Sequence, residues 1–264
     1  MSKYLPSLLL FVTTSSVANI YWQPVEQTHS SGHGRQAKQF QLMGEQPEFS
    51  SVIEFIHSDL VSAPLDKKNS IVTLKPTGKD SYHALVARQK SDNFQSLAVR
   101  YIYNNGRPVS TSPSDLLAVE LGGLQIIPSP LPREHWRYES LKTYNFNVIL
   151  DGAPLADHPL LATTTLGSNK VVHTDDEGRV QLFTPEDFPE IVPLKRATPA
   201  AELQMFSAVE KDGVTYEASL TTAYHASETS WKSVSLGAGV ALAGIVFGFV
   251  INRRLPEHSR RKVK

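Results

Sequence analysis

The segment from Val234 to Ile251, VSLGAGVALAGIVFGFVI, runs for eighteen residues without a charge. As a helix it would be about 27 Å long, close to the hydrocarbon thickness of a bilayer. This predicts a membrane span over 232–252, with Trp231 and Lys232 at the interface. Beyond it, Arg253, Arg254, Arg260, Arg261, Lys262 and Lys264 stand against the single acid Glu257. The positive-inside rule places that basic tail, 253–264, in the cytoplasm. The expected topology is single-pass in the inner (plasma) membrane, with the bulk of the chain periplasmic. Within the span, Gly244 and Gly248 form a Gly-xxx-Gly pair, the spacing at which a second helix approaches closely. Small residues are also common in membrane spans generally, so the pair has a second reading.

The other terminus agrees with export. Lys3 precedes an apolar run from Tyr4 to Val12, and Ser16-Val17-Ala18 supplies small residues suited to signal peptidase. Residues 1–18 are therefore expected to be a signal peptide, cleaved after Ala18. An uncleaved anchor is the alternative, since Ile20-Tyr21-Trp22 prolongs the apolar character.

Of the 264 residues, 26 are basic and 26 acidic, so no overall field favours nucleic acid or an acidic polymer. There is no cysteine. Thiol catalysis, thiolate-bound zinc and disulfide stapling are excluded, and the exported part must be held by packing.

Residues 19–39 are polar and show neither helical nor strand period, which predicts a flexible, histidine-bearing leader. Short β-branched and aromatic runs follow: Ser51 to Ile56, Ile71 to Leu74, Tyr82 to Arg88 and Ser96 to Tyr103, with a turn at Asn104-Asn105-Gly106. A second block carries Leu124 to Pro128, Tyr144 to Leu150, Leu160 to Leu166, Lys170 to His173, Arg179 to Phe183, Glu202 to Val209 and Val214 to Ala223. Its turns are Asp151-Gly152, Asp176-Glu177-Gly178 and Lys211-Asp212-Gly213. The spacing predicts a mainly β chain of two small antiparallel β-sandwiches, an N-terminal domain over 40–122 and a second over 123–226, followed by the membrane helix.

The second block resembles a known family. Leu124-Gln125-Ile126-Ile127-Pro128, then Tyr144 to Leu155 with Asp151-Gly152-Ala153-Pro154-Leu155, then His173-Thr174-Asp175-Asp176-Glu177-Gly178-Arg179-Val180 is similar to the pattern LEIVP … F.V..DG.PL … TD..GR. That pattern belongs to a periplasmic family associated with nickel and cobalt uptake, with transthyretin-like (Cna-B-like) β-sandwich domains and, in some members, a C-terminal membrane helix. The resemblance covers about Leu124 to Phe183. It implies a metal-handling accessory beside an energy-coupling-factor-type transporter, with nickel or cobalt as the ion and the Gly244 and Gly248 face toward a membrane partner. Where family members place a histidine directly after the signal, this chain has Asn19-Ile20-Tyr21-Trp22, and its first histidine is His29.

Thr28-His29-Ser30-Ser31-Gly32-His33 sets two imidazoles four residues apart, and neutral imidazole ligates nickel, cobalt, zinc or copper. Two ligands fill only part of a coordination sphere. His83, His135, His158 and His173 could complete it, with His83 and His173 taken as the expected ligands beside His29 and His33, and a polar linker with solvated histidines is the competing reading. Asp175, Asp176 and Glu177 lack the alternation of an EF-hand loop and read as a hairpin turn. No Gly-x-Ser-x-Gly elbow or His-Glu-x-x-His helix is present, so an enzyme is not expected. Two functions remain. One is a membrane-anchored accessory of transition-metal uptake; the other is a non-enzymatic envelope module that binds another protein through its sandwich and its membrane helix.

Overall fold

The computed structural model describes residues 20–25, 37–44, 51–133, 137–189, 200–227, 241–242 and 244–245. Its elements are β1 (Tyr21–Pro24), β2 (Lys38–Met43), β3 (Val52–Ile56), β4 (Ser62–Pro64), β5 (Ile71–Leu74), β6 (Ser81–Lys90) and β7 (Phe94–Asn104). A single-turn helix, α1 (Pro113–Leu117), follows, closed by a capping box in which Ser112 and Asp115 bond each other's backbone amides. Then come β8 (Leu124–Pro128), β9 (Tyr138–Glu139), β10 (Thr143–Leu150), β11 (Ala153–Pro154), β12 (Pro159–Thr164), β13 (Asn169–His173), β14 (Arg179–Phe183), β15 (Ala200–Lys211) and β16 (Val214–His225).

Side chains on a strand alternate between faces, so a strand covered on one side buries every second residue. β14 and β12 do so, burying Val180 and Leu182, and Leu160 and Ala162. β6 departs from that rule, since Tyr82 to Ala87 are buried without interruption. Its sheet must be covered on both sides.

That sheet has nine strands, ordered β13-β12-β15-β16-β7-β6-β3-β4, with β9 also on β16. On one face, Val86, Val99, Leu203, Met205, Leu220 and Tyr224 meet Leu124, Ile126, Phe146, Val148 and Leu182 of the four-stranded sheet built from β8, β10, β11 and β14. On the other, Ile53, Phe55, Leu85, Ala87, Ala98 and Ile102 meet Ile20, Trp22, Phe40, Leu42, Val72 and Leu74 of the three-stranded sheet β1-β2-β5. The chain is thus mainly β, in three layers around two apolar cores that share the middle sheet.

Three features differ from the sequence expectation. The large sheet is mixed rather than antiparallel throughout, because β7 and β9 both run parallel to β16. Through the β7–β16 pair it carries strands from both sides of the expected 122/123 division. Residues 19–39 are also not a flexible leader along their whole length. Ile20 and Trp22 are fully buried, the Trp22 indole donates to the Ala98 carbonyl at 3.3 Å, and Ser219 donates to the Ile20 carbonyl at 2.6 Å. Ile20 and Trp22 alternate with Tyr21 and Gln23, a period of two too brief to stand out beside the polar residues that follow. β1 and β2 pair as a hairpin from Tyr21↔Met43 to Pro24↔Phe40, so His29 and His33 fall in its connection.

The expected signal peptide, 1–18, lies outside the described residues. So does the expected span, apart from Ala241, Leu242, Gly244 and Ile245, which are helical and exposed. No helix among the described residues is long and apolar enough to cross a membrane.

Candidate functional site

β16 gives one edge to β15 over its whole length, from Val214 to His225. Its other edge is shared. Residues 215–220 pair with Phe94–Val99 of β7, and Tyr224 and His225 pair with Tyr138 and Glu139 of β9. Between these two partners Thr221, Thr222 and Ala223 have no strand neighbour on that edge among the described residues. Beyond Val99, β7 stays with β6 as far as Asn104 but leaves β16. The sheet forks there, and a cleft of about 760 Å3 occupies the fork.

Consecutive residues line this cleft: Arg100 to Tyr103 from β7 and Leu220 to Ala223 from β16. A groove on one face of a sheet is lined by every second residue. Lining by both parities means the cleft cuts through the plane of the sheet between two strand edges. Lys38 and Phe40 roof it on the side of the small sheet, and Tyr82, Leu131 and Tyr138 wall it on the other.

Arg100 sets the electrostatics. Its guanidinium forks onto the Glu202 carboxylate, Nη2 to Oε1 at 3.1 Å and Nη1 to Oε2, and lies 4.9 Å from the Phe40 ring centroid. Lys38 stands close by, and its ammonium donates to the Tyr103 carbonyl at 2.9 Å and to Asn104 Oδ1 at 3.0 Å. Burial, then the neighbouring Arg100 charge, lowers the Lys38 pKa. At the far end Arg137 meets the buried Glu139 at 3.5 Å, and Lys142 reaches the same carboxylate at 2.9 Å. Burial pushes the phenols of Tyr82, Tyr101 and Tyr138 up, so they are neutral hydrogen-bonding groups, and Tyr82 donates to the Pro132 carbonyl at 2.8 Å. The site offers aromatic surface, strand-edge backbone and more positive than negative charge.

The four histidines expected to hold a metal do not form one site in the described structure. His29 and His33 lie outside the described residues. His83 is fully buried on β6, stacked on Phe55 at 5.3 Å. Its Nδ1 accepts from the Ser58 amide at 3.0 Å, which leaves the proton of the neutral ring on Nε2, 3.4 Å from Thr77 Oγ1. Burial holds its pKa down to about 4. With one lone pair engaged and the other nitrogen protonated, His83 is a core histidine rather than a ligand. His173 is exposed on the edge strand β13, five places from β6 in the sheet. Among the described residues no group of three or more His, Asp or Glu side chains could hold an ion.

The paired motifs of the second block have a conformational role. Asp175 Oδ1 accepts from the amides of Glu177 at 3.0 Å and Arg179 at 2.8 Å, and Gly178 takes φ +72°. The Gly178 carbonyl accepts from Val148 at 2.8 Å, while Thr174 donates to the Leu155 carbonyl at 2.6 Å. The Asp-Gly-x-Pro-Leu and Thr-Asp-x-x-Gly-Arg segments therefore hold each other. Asp175 belongs to a turn, as its position suggested.

One buried group escaped the sequence reading. Glu217 on β16 is 1% exposed, and both carboxylate oxygens lack a hydrogen-bond partner. Burial pushes its pKa up to about 7, opposed by Ser96, its register partner on β7, without a geometrically closed hydrogen bond. Its only sequence signal is an acid inside a long β run.

No family model matches this chain, and no curated sequence matches it. Among solved structures it is similar to part of a 1.5-MDa bacterial ice-binding adhesin, at 13% identity and TM-score 0.28, over 72% of this chain and 57% of that one. It is also similar to a tetra-tandem repeat from the extending region of a large adhesion protein, at 9% identity and TM-score 0.24, over 78% of this chain and 49% of that one. A two-domain fibronectin type-III segment of chicken tenascin matches at 9% identity and TM-score 0.23, over 78% of this chain and 98% of that one. The chain spans about half the length of the first two. Likeness at this level assigns no partner or activity.

Proposed function

We propose that this chain is a non-catalytic interaction module of the cell envelope, anchored by 232–252, that docks another protein in the forked cleft. The observation that carries this reading is the lining of the cleft by consecutive residues of β7 and β16, which presents strand edges, aromatic rings and cations in one opening. Its volume lies within the roughly 300–1,000 Å3 usual for ligand sites. The two-sandwich, Ig- or transthyretin-like description belongs to the same proposal, with the qualification that the sandwiches share their middle sheet. Gly244 and Gly248 would supply a membrane contact with the same or a second partner.

The test is photo-crosslinking in the cell that makes the protein, with a benzophenone side chain at Tyr101 and a control at the exposed turn residue Asp176. A discrete protein adduct at Tyr101 and none at Asp176 supports docking. Equal labelling at both positions, or none at Tyr101, refutes it.

Nickel or cobalt handling is a separate proposal and rests on His29 and His33, since His83 is engaged in the core. Calorimetry of the exported part should show heat with nickel or cobalt that disappears when both leader histidines are changed to alanine. Heat that survives the double substitution, or none in the parent, removes it.

A further inference from the structure

Buried polar atoms are almost always hydrogen-bonded, and one that is not points to an ordered water or an ion. Glu217 is 1% exposed, and neither of its carboxylate oxygens has a hydrogen-bond partner among the described residues. Ser96, its register partner on β7, is also buried, and its hydroxyl has no closed hydrogen bond either. Ser96 in turn pairs with Gln89 of β6, so the three side chains stand in one row on one face of the middle sheet. Gln89 donates its amide N–H to Ser51 Oγ at 3.0 Å, at the end of that row. A cavity of about 180 Å3 lies against the row, lined by Glu217, Ser96 and Gln89 together with Gln95 and with Gly122 and Gly123 ahead of β8. It is smaller than the roughly 300–1,000 Å3 of organic-ligand sites. At about 30 Å3 per water it has room for a small ion with part of its hydration shell.

Charge narrows the choice of ion. Two carboxylate oxygens and a hydroxyl suit a hard cation, which takes oxygen ligands. A divalent ion would leave net positive charge in a buried site that holds one carboxylate, whereas a monovalent ion is balanced by it. Arg88, at the cavity wall, is engaged elsewhere: it pairs with Glu54 at 2.8 Å and donates to the Leu121 carbonyl at 3.4 Å. Lys90 is the other cation lining the space, and it is exposed at the end of β6. We infer that Glu217 and Ser96 form a site for one small monovalent cation, held by the carboxylate and the hydroxyl with water completing its shell. Sodium, potassium and ammonium share that chemistry. The site is separate from the docking cleft, which Glu217 does not line, and it stands whether or not a partner docks there. It needs no cluster of acids, because a single carboxylate matches a single positive charge, and the bound ion would offset the cost of keeping that carboxylate buried.

The experiment is thermal unfolding of the full chain in detergent at pH 8, where the Glu217 carboxyl, with its pKa of about 7, is largely ionised. Chloride is held constant, with the bulky N-methylglucamine as the reference cation and sodium, potassium or ammonium exchanged for it in turn. At about ten times its dissociation constant, an ion that fits should raise the midpoint by about 3–6 °C. Glu217→Gln should abolish that shift, Ser96→Ala should reduce it, and Lys90→Gln should leave it in place. If Glu217→Gln fails to fold, the Ser96→Ala result decides. Midpoints equal in every medium overturn the site, whether the carboxyl keeps its proton or Lys90 swings in to meet it. A shift that survives Glu217→Gln unchanged also overturns it, since the ion then binds elsewhere. A larger shift with magnesium or calcium at matched concentration, lost in Glu217→Gln, overturns the monovalent assignment.

Discussion

Glu217 and His83 lie on the same face of the middle sheet, and burial disfavours the charged form of both, with opposite consequences for pH. The Glu217 pKa rises from 4.5 to about 7, so between those values the native state holds a proton that the unfolded chain has released. Stability from this group is complete below 4.5 and falls as pH rises through that window. The His83 pKa falls from 6.5 to about 4, so there the unfolded chain binds the extra proton, and stability falls as pH drops. Between about pH 4.5 and 6.5 the two slopes oppose each other. Glu217→Gln should remove the slope that opposes the histidine's and raise stability at pH 8 by on the order of 3 kcal/mol, read by urea denaturation at pH 5 and pH 8. Equal stability of variant and parent at pH 8 would show that Glu217 finds a partner or water in solution. Neither shift was legible in the sequence, because an acid or a histidine in a β run looks the same whether its side faces solvent or a second sheet.

At the scale of elements, local period carried most of the reading. Ile71–Leu74, Leu124–Pro128 and Arg179–Phe183 fall where alternation and turn residues placed them. What period could not reach was β1, four residues long, and β9, two residues long, whose places depend on surfaces built by distant strands. The large buried side chain of β1 is Trp22. Trp22→Ala should cost about 3–5 kcal/mol by opening a cavity under the small sheet, while Gln23→Ala, which is exposed, should change stability by less than about 0.5 kcal/mol. Similar losses for both would mean that β1 docks through its backbone alone. The motif pair of the second block makes a comparable test of a turn. A Cβ on Gly178 would sit 2.8 Å from Pro154 Cβ and 2.9 Å from the Val148 carbonyl, at φ +72°. Gly178→Ala should therefore cost about 1–3 kcal/mol or more in thermal unfolding. A neutral effect would show that the two segments part without cost, and that their pairing is not what the motif secures.

For the whole molecule, the decisive feature is that β6 and β7 give one face to each apolar core. The sequence divides well at 122/123, because hydrophobic period and turn residues are local. The β7–β16 pairing that rejoins the halves is parallel and links strands far apart in the chain, and no local pattern encodes it. The fork follows from the same pairing. Two cores that shared nothing would melt separately, whereas a core that loses β6 and β7 loses its wall and takes the other with it. Leu85 lies in the small-sheet core and Leu203 in the larger one, both essentially inaccessible to solvent. Leu85→Ala and Leu203→Ala should each cost about 2–5 kcal/mol, and each should lower a single common transition. Scanning calorimetry of the full chain should accordingly give one peak whose calorimetric and van't Hoff enthalpies agree. Two resolved peaks, with Leu85→Ala moving only one of them, would mean that the shared sheet comes apart between β7 and β16, and the cleft would then be a seam between two bodies rather than an opening in one.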